Sequence, residues 1–173
     1  MPPPTESPNP SSEPESSAGE PRPSVGFLTK AFASGLFSGY SPVASGTVGS
    51  AVGLAFYAIP GFEQLYVILP LCVLVFLLGV KASESMEKVY GDDPAEVTID
   101  EVLGMWISLI LLPKRILVAV LAFLIFRVLD IVKPYPARRF DNLHGGYGVM
   151  LDDVISAVYT NLIVQLAVFL QIL

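Results

Sequence analysis

Residues 127–153 read RVLDIVKPYPARRFDNLHGGYGVMLDD and lie between two apolar runs, residues 116–126 and 154–173. The stretch packs four basic residues and four aspartates around a proline- and glycine-rich turn. Elsewhere charge is scarce: 15% of the chain is charged and 53% is hydrophobic, whereas an ordinary soluble domain has roughly 25% charged residues. Mean hydropathy is +0.62. A charged turn that leaves one apolar run and enters another, in so apolar a chain, reads as a loop at a membrane surface. The expected fold is all-α: a multi-pass membrane helical bundle with about four to five hydrophobic helices and a carboxylate site on its cytoplasmic face. A soluble helical bundle with a large core is the competing reading.

Working outward, the other segments fit that frame. Residues 1–24 are rich in Pro, Ser and Glu, have no aromatic residue and are expected to be disordered, leaving 25–173 as the membrane domain. This opening lacks a basic segment followed directly by an apolar run, so it does not read as a secretory signal. Residues 25–39 suit a short interfacial helix. Residues 43–59 suit a first hydrophobic helix ending at Pro60-Gly61, and residues 65–80 a second, with Pro70 as a candidate kink. A polar stretch, 81–101, follows. Residues 102–112 and 116–126, separated by Pro113-Lys114-Arg115, read as a tight helical hairpin or two stacked short helices, each extending into its polar flank. Residues 154–173 are long enough to span, with Thr160, Asn161 and Gln165 facing other helices. Cys72 is the single cysteine and excludes an intrachain disulfide.

Charge gives the sidedness. With five crossings and a cytoplasmic N-terminus, residues 81–101 and 130–152 share the cytoplasmic side with Lys81, Lys88, Lys133, Arg138 and Arg139. Lys114 and Arg115 lie opposite, in keeping with the positive-inside bias. Glu63 is then the one outward-facing acid after the tail. The net charge of −6 argues against a nucleic-acid partner, and no obligate protein partner is evident; the expected partner is the bilayer.

The carboxylates on that face are the candidate chemistry, and each has a competing structural role. Thr98 and Glu101 fit a capping box with Asp100 beside it, yet Asp100 and Glu101 are also hard oxygen ligands suited to Mg²⁺. Arg127, Asp130 and Lys133 share one helical face, and Pro134 should end that helix at Lys133. Asp130 at the edge of hydrocarbon needs a partner or a task. Lys133, Arg138 and Arg139 suit either anionic headgroups or a substrate phosphate. Asp141 and His144 sit in the same turn. Asp152 and Asp153 are expected to open the last helix, one capping it and one facing inward. The segment SGTVGS (residues 45–50) offers either close helix packing or a phosphate cradle at a helix start. Together these groups suit metal-assisted hydrolysis of a phosphomonoester.

Three blocks, SGTVGS, TIDEVLGMWISLILLP and FRVLDIVKPYPARRFDNLHGGYGVMLDD, stand in the order seen in bacterial phosphatidylglycerophosphatase A, which the chain resembles over residues 35–158. The resemblance implies a Mg²⁺-dependent phosphoric monoester hydrolase of the inner membrane. Such an enzyme removes the terminal phosphate of phosphatidylglycerophosphate to give phosphatidylglycerol. It implies Asp100, Glu101, Asp130, Asp152 and Asp153 as metal ligands and catalytic acids. Arg127, Lys133 and Arg138 then bind the substrate phosphate, with Thr47 and Ser50 as auxiliary hydroxyls. The chain departs from the family pattern at Tyr135, where Trp is common, at Ser156-Ala157, where Ala-Gly is common, and at Ser45, where Pro is common.

Two other classes fit the residues less well. A phosphatidyl transferase would use the same metal and membrane face, but its D-x₂-D-G-x₂-A-R spacing is missing. A transporter would place ionisable residues at mid-membrane in broken helices, not at one face; an anionic-lipid-binding scaffold is its non-enzymatic companion.

Overall fold

Apolar length decides which segments become long helices. The computed structural model describes residues 24–140, 143 and 145–172. Residues 1–23, Asp141 and His144 lie outside the described residues, and with them the expectations for the tail and those two side chains. The helices are α1 (Phe27–Ala33), α2 (Ser45–Ala58), α3 (Leu65–Tyr90), α4 (Ile99–Ser108), α5 (Ile116–Val132), α6 (Ala137–Phe140) and α7 (Gly146–Phe169), with a 3₁₀ turn at Ser38–Tyr40. No strand occurs among the described residues.

Two helices, α3 and α7, are long and apolar enough to cross a bilayer. At 1.5 Å per residue they reach about 39 and 36 Å, against a hydrocarbon core of roughly 30 Å. The 17-residue α5 comes close, at about 26 Å. The 14 residues of α2 and the 10 of α4 are too short to span alone. Outward faces are apolar: Leu69, Val73 and Leu77 on α3, Leu117 and Leu124 on α5, and Leu162 and Leu166 on α7 are all exposed. An apolar surface running around several helices is far more than a soluble monomer leaves to water. With lipid as its solvent it is accounted for.

The chain runs up and down in sequence order. Lys114, in the α4–α5 turn, donates to Ile59 O and to Glu63 (both 2.7 Å), in the α2–α3 turn. Those two turns therefore share one end, and the Lys114 contact holds the Glu63 carboxyl below its usual range. The starts of α2, α4 and α7 and the ends of α3 and α5 gather at the other end.

At the centre lies α4, buried along nearly its whole length. Gly46, Gly49 and Gly53 of α2 face it: a Cβ on Gly49 would meet Thr98, and one on Gly53 would meet the Val102 backbone and Met105. That closeness lets the Trp106 indole donate to Gly53 O at 3.0 Å while its ring packs edge-on against Phe62. The far end of α4 is capped by α7, whose Asn161 amide donates to Ser108 O and Ile110 O at 3.1 and 2.8 Å. Gln165 donates to Asn161 and Thr160 is fully buried, so all three polar residues face helices, as expected in lipid.

Three local expectations are corrected. The polar stretch 81–101 is not a loop throughout, because α3 continues to Tyr90. KASESMEKVY contains no breaker, Lys88 and Glu84 pair at 3.1 Å along the helix, and Gly91, at φ 96°, ends it. The capping box does not form: Thr98 makes no side-chain cap bond, and its hydroxyl instead meets Ser38 Oγ at 2.8 Å. Finally, Asp152 and Asp153 do not open α7, which starts at Gly146; they sit in its second turn, where a capping role has no N–H left to satisfy. Pro70 lies inside α3 without ending it, and α5 stops where Pro134 requires, with Lys133 in the left-handed region at φ 48°.

Candidate metal centre

Each acid is placed by a different element. Asp100 and Glu101 stand in the first turn of α4, Asp130 near the end of α5, and Asp152 and Asp153 in the second turn of α7. The close start of α7 depends on Gly146, whose missing Cβ lets that backbone lie directly on the Val80 carbonyl of α3. All five carboxylates line one cavity of about 230 Å³, together with Lys133, Ser45 and the 93–97 segment.

Two overlapping triads emerge. Asp100, Glu101 and Asp153 each offer an oxygen within 4.8 Å of the others, and so do Asp130, Asp152 and Asp153. Asp153 belongs to both. Asp100, Asp152 and Asp153 are only 8, 6 and 3% exposed. Asp100 Oδ1, Glu101 Oε2, Asp152 Oδ1 and Asp153 Oδ2 are buried without a hydrogen-bond partner.

Burial pushes the Asp100 carboxyl up to about 6, a rise that the Glu101 hydrogen bond opposes and the Asp152 and Asp130 charges reinforce. Glu101 is raised well above its ordinary range by burial and then by Asp100. Orphaned, mutually repelling carboxylate oxygens are the donor set of a hard divalent cation, and the residues can hold a metal ion.

The cations flank the acids. Arg127 pairs with Asp130 at 3.1 Å and donates to Ser50 Oγ at 3.4 Å. Gly46 makes room for this, since a Cβ there would run into Glu101 Oε1 and the Arg127 guanidinium. Lys133 pairs with Asp152 at 2.7 Å. The structure thus brings together Asp100, Glu101, Asp130, Asp152, Asp153, Lys133, Arg127 and Ser50. It does not bring in Thr47, which is half-buried on α2 and absent from the cavity wall, nor Arg138, exposed on α6. Ser45, not Thr47, lines the cavity from the start of α2. The sequence reading missed Asp93, another wall residue. It lies in the polar stretch 81–101, and nothing in that stretch says that its loop folds over the site.

Fold and site together define a helical membrane protein with a buried polycarboxylate centre able to hold a metal ion. Residues 31–168 match the family model described as phosphatidylglycerophosphatase A. The chain belongs to that family. It is similar to phosphatidylglycerophosphatase A of Escherichia coli, at 40% identity over 72% of this chain and 74% of the relative, and of Haemophilus influenzae, at 32% over 81% and 86%. It is also 38% identical, over 84% of this chain and 96% of the relative, to a Bacteroides thetaiotaomicron protein provisionally named a phosphatidylinositol-3-phosphatase. No solved structure matches the chain.

Proposed function

We propose that the chain is a Mg²⁺-dependent phosphatase that hydrolyses the terminal phosphate of phosphatidylglycerophosphate, in glycerophospholipid biosynthesis, from the cytoplasmic side of the bacterial inner membrane. The observation that carries the chemistry is the set of buried, unpartnered carboxylate oxygens from α4 and α7 facing one cavity beside Lys133. Family membership supplies the lipid.

In this reading Asp100, Glu101, Asp130, Asp152 and Asp153 hold Mg²⁺. The ion, when bound, supplies Lewis-acid polarisation of the phosphoryl oxygens and an acidified water. Lys133 lines the cavity and Arg127 stands behind Asp130, where they neutralise charge on the transferring phosphoryl group. Ser50 holds the Arg127 guanidinium, and Thr47 supports the same turn from outside the cavity. Arg138, on the exposed face of α6, suits the phosphodiester that remains in the product. Water adds to phosphorus as the P–O bond to the glycerol breaks. One carboxylate of the cluster takes the water's proton, and a proton returns to the departing oxygen, which leaves as a hydroxyl. Gly145, at φ 88°, turns the chain into α7 at headgroup level, where a lipid head can enter without leaving the bilayer.

The Bacteroides relative motivates a second reading, in which the phosphomonoester sits on an inositol ring. Purified protein in detergent separates the two: phosphate release from phosphatidylglycerophosphate should exceed that from phosphatidylinositol 3-phosphate. The reverse order assigns the second substrate, and release from neither overturns the phosphatase.

A further inference from the structure

We propose that the carboxylate centre is built for two unequal divalent cations sharing Asp153, and that Lys133 occupies the second position until its ion arrives. The inference deepens the metal-dependent reading above and rests on it. Its first support is the pair of triads that meet at Asp153. A carboxylate has two oxygens and about four lone-pair sites, enough for two metal contacts. The second support is independent: Asp153 Oδ2 is buried and unpartnered, as are Asp100 Oδ1 and Glu101 Oε2 on one side and Asp152 Oδ1 on the other. One ion in either triad would leave a buried carboxylate oxygen of its neighbour without a partner.

The two positions differ in what already neutralises them. In the first triad the nearest cation, Arg127, acts on Glu101 only through its charge and makes its close pair with Asp130 instead. In the second triad Asp130 is held by Arg127 at 3.1 Å and Asp152 by Lys133 at 2.7 Å. Arg127 lies within the helical part of α5 and is braced by Ser50, so it stays. Lys133 is different: it stands just past the end of α5, its backbone in the left-handed region, on a flexible four-carbon stem. A second ion at Asp152 displaces its ammonium group into the cavity, where it meets the incoming phosphate. Binding of the second ion and readiness of Lys133 are then one event.

Electron paramagnetic resonance of the full chain in nanodiscs, with Mn²⁺ as probe, tests this directly. The expected result is two Mn²⁺ per chain, one tight and one weaker, with a spin-coupled signal growing in as the second binds. Asp153→Asn should remove the coupling and weaken binding by about a hundredfold, and Lys133→Met should tighten the second ion about tenfold while leaving the first unchanged. A single Mn²⁺ at saturation, or two that never couple, overturns the proposal, and the wild-type titration alone decides this should a variant fold poorly. A Lys133→Met protein with unaltered or weaker second-ion affinity overturns the role given to Lys133. Protein that releases lipid phosphate with one ion bound keeps its function and loses this inference. Protein that binds two coupled ions but releases no phosphate does the opposite.

Discussion

Arg127 shows what a single residue contributes. From the sequence it is a cation at the membrane end of an apolar helix, on one face with Asp130. Its side chain is about 14% exposed and paired with Asp130 at equal burial. A buried pair of this kind costs about 3–5 kcal/mol when one partner is removed, because the other is left uncompensated. Arg127→Met should therefore lower the thermal midpoint in chelator, and Asp130→Asn in the same chain should recover part of the loss. Strictly additive losses in that double-mutant cycle would show that the pair is not coupled. The acids were legible as acids, but the structural roles assigned to them were not. Thr98 and Glu101 match a capping pattern, yet Thr98 finds Ser38 sixty residues away, a tertiary contact that local spacing cannot reveal. Asp152 and Asp153 looked like helix openers only because three preceding glycines read as a turn, whereas Gly146 and Gly148 are helical and tightly packed.

Helices, by contrast, were readable wherever apolar length or a breaker decided them. Pro60-Gly61, Pro113 and Pro134 bound α2, α4, α5 and their turns near where the sequence places them. What sequence could not give was the extension of α3 through ten residues of the polar stretch, or the central position of α4, since burial of so short a helix depends on its neighbours. The small residues of α2 separate packing from chemistry within one element. A Cβ on Gly53 meets backbone and Cβ atoms of α4 at 2.9–3.1 Å, so the helices must part. Gly53→Ala should cost about 1–3 kcal/mol by overpacking, offset in part by a helix-propensity gain of up to about 1 kcal/mol, with the activity of the folded fraction kept. The nearest atoms to a Cβ on Gly46 are the ends of the Glu101 and Arg127 side chains, not backbone, so it displaces site groups rather than parting the helices. Gly46→Ala should leave stability within about 1 kcal/mol of wild type and lower kcat. Thermal denaturation and phosphate release on the two variants check the contrast; the opposite pattern would mean that Gly46, not Gly53, sets the α2–α4 distance.

At the scale of the molecule, one end carries all five site carboxylates and the other carries the Glu63–Lys114 pair. That polarity was legible from the spacing of charges between apolar runs, and the up-and-down course of the helices accounts for it. The proposal that the carboxylate end faces the cytoplasm rests on the lysine and arginine bias. In intact cells a cysteine at Arg115 should react with a membrane-impermeant maleimide and one at Lys88 should not, while the native Cys72, buried in α3, stays silent; labelling of Lys88→Cys alone would invert the protein in the membrane. Metal has a global signature too. A cation that binds only the folded centre stabilises it by about 2.7 kcal/mol at a hundred times its dissociation constant, so chelation should lower the thermal midpoint.

The central claim is that these buried carboxylates form a metal-dependent phosphatase centre. Its most direct test is a Mg²⁺ titration of phosphate release from phosphatidylglycerophosphate by the purified chain, starting from chelated protein. The account predicts no release in chelator and a saturable recovery on adding Mg²⁺. Release that persists undiminished in chelator, or none at any Mg²⁺ concentration, would contradict it.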